Sequence, residues 1–175
     1  MKFKTTFAAA LFLMATSSFA TSVAAHNPND SQITRLMERT NDGEVKLANL
    51  AKKNSKNSEI HAFADHMIKD HTDNNAVAKK IAEKNKIAPE ENNRSKEMKN
   101  AGDQAFIKLK DLKGKEFDVM YIRNQIETHQ KVLQDLDSDL IPSAKNTELK
   151  AMLQETRAKV AQHLEHAKKI QDSLH

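Results

Sequence analysis

The stretch VMYIRNQIETHQKVLQDLDSDL, residues 119–140, decides the fold of this chain. Val119, Ile122, Ile126, His129, Leu133, Leu136 and Leu140 recur in alternating steps of three and four, the spacing that lines up one face of an α-helix. A single histidine, His129, stands in the middle of that apolar stripe.

Three more stripes keep the same rhythm. Ile33, Met37, Thr40, Glu44, Leu47 and Ala51 form one, and Ile60, Ala64, Met67, His71, Asn74, Ala78 and Ile81 another. The last runs through Leu149, Leu153, Thr156, Val160, His163, Ala167, Ile170 and Leu174. A helix hides such a stripe against its neighbours, so four of them predict an all-α four-helix bundle with Glu44, His71, His129 and His163 pointing inward.

The breaks locate the joints. Asn29 or Asp30 is positioned to cap a first helix over about 30–54, and Asn57 or Ser58 a second over about 58–85. A third is expected over about 115–140, stopped by Ile141-Pro142-Ser143, and a fourth over about 146–173, opened by Asn146 and Glu148. The short turns make each pair antiparallel. Residues 86–114 are too many for a plain loop and are read as a crossover along the bundle. Phe106, Leu109 and Leu112 suggest a short extra helix over about 102–112, with Gly114 as its cap.

Residues 1–25 read as a cleavable export signal: Lys2 and Lys4, then an apolar run from Phe7 to Ala15, then small residues ending at Ala24-Ala25. Cleavage after Ala25 is preferred over Ala20. The expected mature chain, residues 26–175, is a single periplasmic or otherwise exported domain. Removing the two signal lysines lowers the formal charge of +4 by two, and the remaining lysine clusters are interleaved with acids. Neither a basic patch nor interleaved aromatics speaks for nucleic acid. One tyrosine and no tryptophan speak against a membrane barrel, and the apolar run of the signal is too short for a good span. The absence of cysteine excludes a disulfide framework.

Gly43-Glu44, Leu50-Ala51, Asp70-His71, Phe117-Asp118-x-x-Tyr121, His129 and His163, in this order, make the chain resemble the exported bacterial proteins of the domain-of-unknown-function 4142 family. The resemblance covers the whole mature chain. It implies a ferritin-like bundle in the periplasm and supplies no activity and no catalytic residues.

The chemistry of the inward residues therefore has to carry the site. Three imidazoles and one carboxylate, Glu44 with His71, His129 and His163, make a complete four-coordinate set for zinc, iron, copper or manganese. Counted from the turns, the levels of Glu44 and His71 differ by about 5 Å, and those of His129 and His163 by about 7 Å. Ile68, Ile126 and Val160 stand three residues before the histidines, where a di-iron centre needs glutamates, so a mononuclear site is expected. Met67 is a candidate extra soft ligand, and Asp70, Asp118 and Tyr121 candidate supports. His61 and His66 turn away from His71, and His26 at a freed amino terminus is a separate copper candidate.

Two other readings use the same residues. Glu44 and charged histidines can form a metal-free buried network, in an envelope protein whose surface contacts lipid headgroups or other proteins. With one ligand withdrawn, the ion can be the centre of a metal-dependent enzyme, although no nucleophile or phosphate loop accompanies it.

Overall fold

A computed structural model describes residues 27–174, all of whose regular elements are helical. The expected signal, His26 and His175 lie outside the described residues. The elements are α1 (Asp30–Asn54), α2 (Ser58–Asn85), α3 (Asn93–Leu109), α4 (Gly114–Asp135) and α5 (Thr147–Ser173). A π-helical turn over Leu136–Leu140 and a last turn over Ile141–Ser143 continue α4.

Asparagine starts four of the five helices. Asn29, Asn57, Asn92 and Asn146 each accept hydrogen bonds from first-turn amides, which supplies partners that the free end of a helix lacks. Each cap contributes about 1 kcal/mol. Asp30 adds a tie between ends: its carboxylate accepts from the amides of Lys145 and Asn146, both at 2.9 Å. The starts of α1 and α5 are thereby held at one end of the bundle.

Two apolar clusters fix the directions. At one end, Leu47 and Ala51 of α1 pack with Ile60 and Phe63 of α2, Phe117 and Tyr121 of α4, and Ala167 and Ile170 of α5. At the other, Ile33 and Met37 meet Ala78, Val132, Leu136, Leu149 and Leu153. So α1 and α5 run one way and α2 and α4 the other. Around the bundle the order is α1, α2, α5, α4, which is the single-crossover arrangement.

The crossover differs from its expectation. Its helix opens at Asn93 rather than near Gly102, because Asn92 and Ser95 exchange the two hydrogen bonds of a capping box. Gly102 does not start the helix. It lies inside it, facing Gly43 of α1 so closely that an added β-carbon would sit 3.5 Å from the Gly43 Cα. Gly114, with φ of 55°, opens α4 instead of closing the preceding helix. Along its length α3 runs parallel to α1: the Glu90 amide donates to Ser31 O, Lys46 pairs with Asp103 at 2.9 Å, and Asn54 donates to the carbonyls of Lys110 and Leu112 at 3.0 Å.

The third stripe is also corrected in phase. Val119, Ile126 and Leu133 are only partly buried, whereas Tyr121, Gln125 and Val132 are buried. The helix does not stop at Leu140 but continues through Pro142, whose missing N–H the wider π-helical turn accommodates. Among the described residues no helix is long and apolar enough to cross a membrane.

Candidate metal centre

His71 from the middle of α2, His129 from α4 and His163 from α5 meet in the interior, each no more than 8% exposed. Their ring centroids form a nearly even triangle, 6.1 Å between His71 and His129, 5.6 Å between His71 and His163, and 5.5 Å between His129 and His163. One ligand atom from each lies within 4.8 Å of the other two. The continuation of α4 through Ser143 brings His129 and His163 level. Counted from the observed helix ends, their offset is about 3 Å rather than about 7 Å.

Every ring has one nitrogen engaged and one free. His71 Nδ1 donates to Asn41 Oδ1 at 2.9 Å, His129 Nδ1 donates to the Gln125 carbonyl at 2.8 Å, and His163 Nε2 donates to Asp70 Oδ2 at 3.0 Å. All three partners are acceptors, so the ring proton sits on the engaged nitrogen. The others, His71 Nε2, His129 Nε2 and His163 Nδ1, are buried without a hydrogen-bond partner and present lone pairs. Histidines that hold metals are oriented in this manner, by a carboxylate, a carbonyl or an amide behind the ring.

The acceptors are themselves fixed. Asn41 donates both amide protons, to Asn74 Oδ1 at 2.8 Å and Asn75 Oδ1 at 2.7 Å, which leaves its oxygen for His71. Lys159 donates to the second oxygen of Asp70 at 3.0 Å. Asp70 thus lies behind the His163 ring and fixes its orientation.

Burial keeps the rings neutral. It pushes the His129 imidazole down to about 4 and holds His71 well below the ordinary histidine range, with the neighbouring rings adding to the effect. His163 is lowered by burial as well, against the opposing pull of Asp70. Neutral imidazole is the form that binds a metal ion.

Glu44 stands apart from the triangle. It is 4% exposed and is not among the atoms gathered within 4.8 Å; its Oε2 instead accepts from Gln125 Nε2 at 2.8 Å. Burial raises its carboxyl to about 7, moderated by Gln125 and by His163. Met67 is buried in the apolar cluster nearer the aromatic end. Tyr121 stacks on Phe117 at 5.6 Å with its hydroxyl buried and unpartnered, and Asp118 Oδ1 is likewise unpartnered. Of the turned-away histidines, His66 is exposed and the His61 ring bonds the Ser55 carbonyl at 3.0 Å.

The sequence reading missed Asn41 and Gln125. Asn41 lies three residues before Glu44, where a polar residue on the inner face is the available signal. Gln125 lies four before His129 and was hidden by the apolar Ile126 beside it.

Three neutral nitrogens fit one metal ion. A tetrahedral ion bonded at about 2.0–2.1 Å spaces its ligand nitrogens by about 3.3 Å, so small ring rotations bring the three inward. In chemical terms the described residues form a helical scaffold with a three-histidine group capable of holding a metal ion.

Comparison with curated proteins gives no match, and neither does comparison with solved structures. The family model described as Domain of unknown function (DUF4142) matches residues 15–170. With most of its length so matched, the chain belongs to the DUF4142 family.

Proposed function

We propose that the protein is exported, loses residues 1–25, and holds one transition-metal ion through His71 Nε2, His129 Nε2 and His163 Nδ1. The observation that carries this reading is the set of three buried ring nitrogens left free while the opposite nitrogen of each ring is tied to an acceptor. With neither an ion nor a water beside them, these nitrogens are desolvated and unpaired, at about 1–3 kcal/mol apiece. One ion removes all three penalties.

An all-imidazole donor set favours zinc or copper over magnesium or calcium, which select oxygen. Glu44, considered from the sequence as the fourth ligand, is assigned to the neighbourhood of the ion, because it is not among the groups whose ligand atoms lie within 4.8 Å of one another. The fourth coordination position is then open, as in sites where three protein ligands leave room for a water or another small molecule.

Export is supported by the basic start, the apolar run and the small residues of 1–25. The test is untagged protein from the native compartment, analysed for metal and for its first residue. About one ion per chain and a chain starting at His26 are expected. Equal metal content in wild type and in His129→Ala would refute the ion-binding reading, and retention of residues 1–25 would refute export.

A further inference from the structure

The free nitrogens account for only part of the buried polar inventory. Gln125 Oε1, Asn124 Oδ1 and the Tyr121 hydroxyl are also buried without partners, on the α4 face nearest Glu44 and α3. Three voids lie along this face. A space of about 10 Å³ is bounded by Thr40, Glu44, His71, Thr128 and His129. A second, of about 70 Å³, shares Thr40, Glu44 and Thr128 with the first and reaches Met98, Ala101 and Asn124 beneath α3. A third, of about 330 Å³, shares Met98, Ala101, Asn124 and Thr128 with the second and forms a groove between α3 and α4.

Neighbouring spaces share wall residues, so the three lie in series from the α3/α4 groove, past Glu44, to the side of His71 and His129.

We propose that these spaces open into one another as a passage that admits a small oxygen- or nitrogen-donor ligand to the fourth position on the ion, with Glu44 bordering the bound molecule. The proposal rests on the ion-binding reading and adds to it a route and a size limit. The innermost space is that of about one water molecule, so only a ligand of a few heavy atoms completes the journey. Larger molecules stop in the outer groove.

The crossover helix is the roof of this route. It is held at both ends, by Glu90 on Ser31 and an Arg39–Glu91 ion pair at the start and by Asn54 on the carbonyls of Lys110 and Leu112 at the finish. Contact between Gly43 and Gly102 sets its height over α1. Over the passage it presents Ala101 and Ala105, whose short side chains leave the space open. On the opposite wall Asn124 brings a buried carbonyl oxygen with no partner within the protein, a polar group suited to a molecule in transit.

The experiment uses the mature chain loaded with Co(II), whose visible spectrum reports its coordination, and azide as the probe. Azide is expected to change the spectrum of the wild type. Ala101→Phe lays a ring across the passage from a position exposed at the surface, and Asn124→Leu alters the facing wall. Both are expected to keep the Co(II) stoichiometry, and Ala101→Phe to slow azide association at least about tenfold. Glu44→Gln, of the same shape, is expected to move the azide dissociation constant at least about threefold while entry stays fast. A spectrum blind to azide, or wild-type entry rates in both passage variants, overturns the route and leaves the ion-binding reading intact. Failure of the wild type to bind Co(II) overturns both.

Discussion

Two polar layers cross the interior side by side, and they are finished differently. In the first, Asn41 donates to Asn74 and Asn75, Asn74 donates to Thr156, and Thr156 donates to the Met152 carbonyl, so each successive donor reaches an oxygen. In the second, His71, His129 and His163 each satisfy one nitrogen and leave the other bare. A closed network specifies packing. An open one, whose three rings offer ligand atoms within 4.8 Å of one another, could hold a metal ion.

The contrast breaks if both layers respond alike to substitution. The largest effect is expected for His71→Ala, which should reduce bound metal from about one ion per chain to none, as read by elemental analysis. Asn74→Ala in the neighbouring layer should leave the stoichiometry unchanged.

The next effect is that of pH on the metal-free protein. His129 is lowered from 6.5 to about 4 in the folded chain, so its contribution to stability is complete above pH 6.5 and disappears as pH falls towards 4. On its own this is on the order of 3 kcal/mol. His71 and His163 shift in the same direction. Glu44 acts oppositely: raised from 4.5 to about 7, it removes stability as pH rises through that interval. Three histidines outweigh one carboxyl. The urea midpoint of metal-free protein should therefore fall steeply between pH 6.5 and 4.5, and a flat profile would mean the rings are not held neutral.

A smaller change sharpens the role of the acceptors. Asp70→Asn removes the carboxylate behind His163, and metal affinity measured by competition with a chelator should weaken about 10–100-fold. The smallest effect belongs to the closed layer. Asn74→Ala should cost about 1–3 kcal/mol in unfolding experiments, and, acting on His71 only through Asn41, should weaken metal affinity less than Asp70→Asn.

How much of this was readable from the residues follows their physics. The inner face of α1 is fully buried as its periodicity predicts, from Ile33 through Glu44 to Ala51, and the asparagine caps place the helix starts to within a residue. Two helix elements misled. The run at 90–94 looked like loop because its residues are polar, yet Asn92 and Ser95 satisfy one another's backbones and start α3 there. In α4, Ile126 and Leu133 drew the stripe towards the flank, while Gln125 and Val132 take the interior. Ile126 and Leu133 are partly buried, packed against the two apolar clusters from the side of α4 away from its groove with α3. The partners of the histidines were invisible for a different reason. Which acceptor lies behind a ring depends on contacts between helices far apart in the chain, such as Asp70 with His163, and periodicity carries no such information.

α1 supplies an amide behind the triangle but none of the three ring nitrogens. An ion at their centre would consequently bolt α2, α4 and α5 into a tripod, cross-linking segments scattered over much of the sequence, while α1 and its parallel companion α3 remain a panel leaning on that frame. Lifting the panel severs no coordination bond. Exchange of backbone hydrogens should then be slowed by the ion chiefly in the legs of the tripod, and the panel, which carries Glu44, should keep its own faster rhythm of opening.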